Sequence, residues 1–281
     1  MGRDLFDIRS IVPRRLACAV SVGLITLLAA TPSFAALKIR LVFNGTGAPP
    51  APSDLVGGGD LGEIVRVAAD AWEDVFKNTA GNWDITIDYG WDDIQQLGVG
   101  KMSDQGGNPV RITRGKIQFA NRPPNPWYAD PNPRDSSEYK TFSSYLLPDI
   151  PLNRGRVFSD ATGDAANHWD LLTIAAHEIG HVLGDDFLYV GWQQTPCVVD
   201  TRFHGCFVIL TSPRPFAGEG LHMEASETHL VKPSDSDAGP LMVTNPTLGE
   251  RQLISGVDAL LIAQYSSANK LNLIFSLLPP F

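Results

Sequence analysis

Ala175-Ala176-His177-Glu178-Ile179-Gly180-His181-Val182-Leu183-Gly184 is the stretch on which the reading of this 281-residue chain turns. It contains the H-E-x-x-H pattern as His177, Glu178 and His181. Residues four apart share one face of a helix, so both imidazoles can reach one ion at the usual Zn–N distance of about 2.0–2.1 Å. Glu178 is rotated from His177 by about 100°, as about 3.6 residues per turn require. That rotation keeps it out of the ligand set and beside a water on the metal. Zinc lowers the pKa of such a water to about 7, and an adjacent carboxylate can take its proton and pass it to a leaving amine. One rigid element thereby offers two ligands and a general base.

Outward from the motif the sequence is apolar. Leu171, Leu172, Ile174, Ala175, Ile179, Val182 and Leu183 surround it, which predicts a central buried helix from Asn167 or Asp170 to Leu183, stopped by Gly184. Two histidines and a glutamate on such a helix cost several kcal/mol unless they are paired or hold a metal. Metal binding is therefore favoured over a chance match. Catalytic zinc usually takes three protein ligands, so a further one is needed. His168, nine residues before His177, points the wrong way and reads as a capping or surface residue. His204, His222 and His229 lie downstream and need a return of the chain.

Before the motif, Leu37, Ile39, Leu41 and Phe43 alternate as in a strand. Gly45 to Gly59 reads as a loop. Asp60 with Glu63 reads as a capping box opening a helix whose face is Ile64, Ala68, Ala71, Trp72, Val75 and Phe76, ending near Asn78 to Gly81. Trp83, Ile85, Ile87 and Tyr89 mark a second strand; Ile117 and Phe119 mark a third. The proline-rich run Arg122 to Pro133 is expected as an ordered surface loop, because proline removes donors and fixes φ. After the motif, Asp185 to Gly239 is expected to be long and irregular. A last helix runs from Gly256 to about Tyr265, capped by Ser255 and Asp258, with Val257, Leu260 and Leu261 buried. No internal repeat and no linker divides the chain.

Composition narrows the compartment and the partners. Arg14 and Arg15 precede an apolar run, Leu16 to Ala30, too short to span a bilayer comfortably, and Ser33-Phe34-Ala35 offers a cleavage site. Residues 1–35 are expected as a signal peptide and 36–281 as the mature domain, secreted or periplasmic, without stable membrane insertion. That mature chain would carry 18 basic and 29 acidic side chains, a net of −11, and no basic stripe, which argues against nucleic-acid binding. Cys197 and Cys206, with eight residues between them, are expected to pair in an oxidising compartment.

The ten residues quoted at the outset resemble the zinc helix of metzincin peptidases, especially matrixin-like secreted bacterial ones, whose pattern is H-E-x-x-H-x-x-G-x-x-H/D. Gly184 matches the glycine that turns the chain out of that helix. Gly239-Pro240-Leu241-Met242-Val243-Thr244-Asn245-Pro246 resembles the Met-turn, Ile254 to Leu261 the C-terminal helix, and Ala68 to Glu73 the early helix of the clan. The resemblance implies an α/β (α+β) zincin domain: a twisted mixed sheet packed on two helices, with a loop-rich C-terminal part. It implies zinc as cofactor, hydrolysis of a protein or peptide substrate and Glu178 as general base, in a chain expected to act as a monomer. Calcium enters by family analogy only, since no loop shows a recognisable calcium pattern.

One position departs from the clan. Where the third ligand is expected, the chain has Phe187, which cannot bind zinc. Leishmanolysin-like relatives insert a long segment after the glycine and take the third histidine from beyond it. The 54 residues from Asp185 to Ala238 are read as such an insertion, and His229, 13 residues before Met242, as the third ligand. His222 and Asp186 are the alternatives. The same departure motivates the rival reading, a non-catalytic secreted binding protein on a decayed metzincin scaffold; retention of Glu178 argues against it. No propeptide cysteine lies between Ala36 and Pro196.

Overall fold

Helix α1 (Leu61–Val75) begins where the sequence caps it: Asp60 Oδ1 accepts the Glu63 N–H at 2.9 Å. It buries Ile64, Val65, Ala68, Ala69, Trp72 and Val75, whereas Ala71, expected inside, is exposed. The buried stripe is turned toward Val65 and Ala69 because α1 packs on both strand β1 (Leu37–Phe43) and helix α2 (Leu171–Leu183). The helix stops at Val75, before the expected Asn78 to Gly81, with Phe76 capping it as its N–H bonds the Trp72 carbonyl.

These elements come from a computed structural model that describes residues 36–44, 49–77, 82–147, 150–185, 188, 190, 198–200, 205–207, 222–223, 239–243 and 246–266. The expected leader, Asp186, Phe187, Cys197 and His229 lie outside the described residues. The architecture is mixed α/β, with several sheets and three helices among the described residues, in keeping with an α+β class.

The sheet that carries the helices has four strands in the order β1, β2 (Trp83–Asp92), β4 (Arg111–Ala120), β3 (Gly98–Gly106). The first three are parallel; β3 is antiparallel to β4 and forms an edge. β3 has no apolar alternation, which is why pattern reading passes over it. The opposite edge, β1, is blunted: Glu73 accepts the Ile39 N–H at 2.7 Å and Arg66 donates to the Ile39 carbonyl at 2.8 Å. Trp72, Trp83, Ile85, Ile87, Ile117 and Phe119 form much of the core between sheet and helices.

A second sheet, also unannounced by the pattern, pairs β6 (Tyr139–Leu147) with β7 (Ile150–Ala161), and β7 with β12 (Arg251–Leu253). Arg122 to Pro133 is not a surface loop throughout: Trp127, Tyr128, Ala129 and Asp130 are buried, and β5 (Trp127–Tyr128) pairs in parallel with β8 (Trp169–Asp170). The prolines flank these four residues without occupying them, so their main-chain groups remain able to pair. Part of the region expected to be irregular forms a small sheet of β9 (Val198–Asp200), β10 (Gly205–Phe207) and β11 (His222–Met223). Its register sets Cys206 opposite Val199 and Met223, and His222 opposite Phe207. Helix α3 (Gly256–Ser266) closes the described chain.

Candidate metal centre

The helix that bears the motif is α2. Asp170 caps it by accepting the Thr173 N–H at 3.0 Å and the Thr173 hydroxyl at 2.7 Å. All 13 of its residues are buried. His168 stands before the cap, half-buried, with its Nδ1 on the Ala166 carbonyl at 2.8 Å, and plays no part in the cap. The Trp72 indole N–H donates to the Ala176 carbonyl at 2.8 Å, tying α1 to the turn just before His177.

His177, Glu178 and His181 keep 8%, 6% and 7% of their surface exposed, so the three polar side chains are embedded in an apolar helix. Each histidine is oriented by a main-chain carbonyl: His177 Nδ1 on Leu241 O at 2.8 Å, His181 Nδ1 on Asp185 O at 2.8 Å. A carbonyl only accepts, so both Nδ1 atoms carry hydrogen and both Nε2 atoms carry the lone pair of a neutral imidazole. These Nε2 atoms face each other at 3.1 Å. Two lone pairs at that distance repel unless a cation stands between them, either a proton or a metal ion. Two nitrogens bound to one tetrahedral zinc stand about 3.3 Å apart, given Zn–N bonds of about 2.0–2.1 Å. The pair therefore fits zinc, and the carbonyl contacts are the outer-shell partners that a ligating histidine normally has.

Both carbonyls are set by features after the helix. Gly184, with φ +154°, ends α2 and turns the chain so that the Asp185 carbonyl meets His181. Leu241 belongs to the turn at 239–243. Asp258 of α3 anchors that turn, accepting the Leu241 N–H at 2.9 Å and the Met242 N–H at 3.0 Å, together with the Ser255 N–H at 2.8 Å. Met242 is fully buried against Gly180, the residue before His181: a Cβ at Gly180 would stand 2.4 Å from Met242 Sδ.

Glu178 points from α2 to the edge strand β3. Burial pushes its carboxyl up to about 8 in the metal-free chain, and a hydrogen bond from the Gly100 N–H pulls it back in part. A cation held by the neighbouring histidines would favour the ionised form. Asp258 is likewise pushed above the usual carboxylate range by burial, against which its hydrogen bonds act.

Of the expected site residues, the fold gathers His177, Glu178, His181 and Met242. His229 lies outside the described residues, and among the described residues no third His, Cys, Asp or Glu joins the two histidines in a metal-ligating group. Pattern reading missed the anchoring of 241–242 by Asp258, whose cap spacing with Ser255 it did see. It also missed Arg251, buried between Asp130 and Asp170, which fixes the start of α2. Flanked by Glu250 and Gln252, Arg251 gave no local signal of burial.

No protein-family model matches the chain, and neither a curated protein nor a solved structure does.

Proposed function

We propose that this chain is an exported zinc-dependent endopeptidase of metzincin type. The observation that carries the reading is the facing of His177 Nε2 and His181 Nε2 at 3.1 Å, with each Nδ1 committed to a main-chain carbonyl. Supporting it are Gly184 at the helix exit, Met242 buried against Gly180, and an antiparallel edge strand running beside the zinc helix. His229 is the proposed third ligand, delivered by the segment between Asp185 and the turn at 239–243.

Bound zinc would supply Lewis acidity and a lowered pKa for water. The work of the chain's own residues is then defined. His177 and His181 hold the ion in fixed tautomers. Glu178 takes a proton from water and passes it to the leaving amine. The substrate chain lies extended beside β3, since Glu73 and Arg66 occupy the outer edge of β1 at Ile39. No described helix is long and apolar enough to cross a membrane.

The test uses residues 36–281 purified from an oxidising compartment. One zinc per chain and hydrolysis of casein, lost in Glu178→Ala with the zinc retained, are expected. His229→Ala is expected to lower zinc content. Zinc bound without any Glu178-dependent cleavage would instead leave a non-catalytic metal-binding protein.

A further inference from the structure

Glycine is unfavourable inside a strand, having no side chain to pack and more freedom to lose, and its presence there often marks close approach by another part of the chain. Strand β3 begins Gly98-Val99-Gly100, with glycines two apart and therefore on one face. That face meets α2 at Glu178. A Cβ on Gly98 would stand 2.5 Å from Glu178 Oε1, 2.7 Å from its Cγ and 2.8 Å from its Cδ. A Cβ on Gly100 would stand 2.2 Å from the Glu178 carbonyl oxygen and 3.1 Å from its Cα. Neither position accepts even a methyl group unless the glutamate or its helix moves. The Gly100 N–H, brought this close, donates to the Glu178 carboxylate.

We propose that Gly98 and Gly100 are positioning residues for Glu178: they let the edge strand lie against the side chain of the base, and the Gly100 N–H fixes the direction of its carboxylate. The inference rests on the peptidase reading above. A general base must be held in a narrow geometry, and displacement by about 1 Å can cost about 100-fold in rate. Gly98→Ala presses on a movable carboxylate, so its effect falls on Glu178. Gly115 supplies a control: its Cβ would stand 2.3 Å from Val182 Cγ1, crowding α2 one turn further on, away from Glu178.

The experiment has two arms. In the zinc-loaded enzyme, Gly98→Ala is expected to keep its zinc and its KM while kcat falls about 10- to 100-fold. Gly115→Ala is expected to lose thermal stability and keep kcat within about threefold for the folded protein, because crowding of a packed core is felt chiefly as stability. In the metal-free protein, amide hydrogen exchange at Gly100 is expected to quicken at least tenfold in Glu178→Ala and to stay slow in Glu178→Gln, which keeps an acceptor. Equal loss of kcat in Gly98→Ala and Gly115→Ala, an unchanged kcat in Gly98→Ala, or a Gly100 exchange rate indifferent to Glu178→Ala would overturn the proposal. A wild-type chain that cleaves nothing removes the peptidase reading and with it the catalytic role; the exchange arm then reports the contact separately.

Discussion

The carboxylate of Asp258 holds the main chain of Met242, accepting its N–H at 3.0 Å, and through the adjoining Leu241 it governs where His177 points. The same carboxylate takes the Leu241 N–H, and the Leu241 carbonyl takes the His177 Nδ1–H. Asp258, 87 positions beyond the start of α2 and itself on α3, thus reaches His177 through one turn of chain. Asp258→Ala would leave buried N–H groups of Leu241, Met242 and Ser255 without their acceptor. A loss of about 2–4 kcal/mol is expected, since each such orphan costs about 1–3 kcal/mol and relaxation recovers part. Zinc affinity should fall about 10- to 100-fold, as for other outer-shell losses. Urea titration and competition with a chelating dye measure the two. Unchanged zinc affinity would break the link from Asp258 to His177.

Metal-free protein should lose stability as pH rises. Burial raises the Glu178 pKa from 4.5 to about 8. Between those values the folded chain keeps a proton that the unfolded chain has released, so unfolding is progressively favoured across that window and levels off above it. One proton contributes a slope of at most about 1.4 kcal/mol per pH unit. In chelator, urea midpoints between pH 5 and pH 8 should fall less steeply in Glu178→Gln than in wild type. Parallel curves would show that Glu178 is not buried as described.

Zinc removal and ligand loss should converge. A ligand that binds only the folded chain stabilises it by mass action, by about 2.7 kcal/mol when present at about 100 times its Kd. Wild-type Tm is therefore expected to drop on adding EDTA and recover on restoring zinc. His181→Ala should start near the EDTA value and respond to neither reagent. A full zinc response in His181→Ala would exclude that side chain as a ligand.

Arg251 should matter more by what its loss exposes than by its own bonds. Its guanidinium bonds Asp170 at 3.0 Å and also Asp130, with all three side chains about 1% exposed. Removing the cation strands two buried carboxylates. Arg251→Met is expected to cost about 3–5 kcal/mol. Adding Asp130→Asn and Asp170→Asn should recover part of that cost, because an amide is cheaper to bury than an unpaired charge and Asn still caps α2. The denaturation midpoints of the single and triple variants settle the comparison; a triple variant less stable than Arg251→Met would refute the account.

How far the chain could be read in advance varied with how local the cause was. Asp60 and the Ser255–Asp258 pair each cap a helix a few residues away and were legible as caps, whereas Asp170 was legible only as one of two possible starts of α2, beside Asn167. Ala71 was misplaced because a helix packed on two neighbours buries a stripe that no single period reveals. Gly98 and Gly100 gave no strand signal, since an edge strand chosen for closeness to Glu178 lacks the apolar alternation by which strands are recognised. Trp127 to Asp130 were hidden by the prolines around them.

The spacing of His177, Glu178 and His181 was determined by the sequence alone: a helix of that composition must place two imidazoles one above the other and the glutamate aside. Tertiary structure decided what makes that spacing useful. The Leu241 and Asp185 carbonyls choose the tautomers, Asp258 fixes the turn from which Leu241 reaches back, and β3 supplies the N–H that Glu178 meets. Leu241 stands 64 positions from His177 and Gly100 stands 78 from Glu178, and hydrogen bonds over such separations exist only once the core has closed.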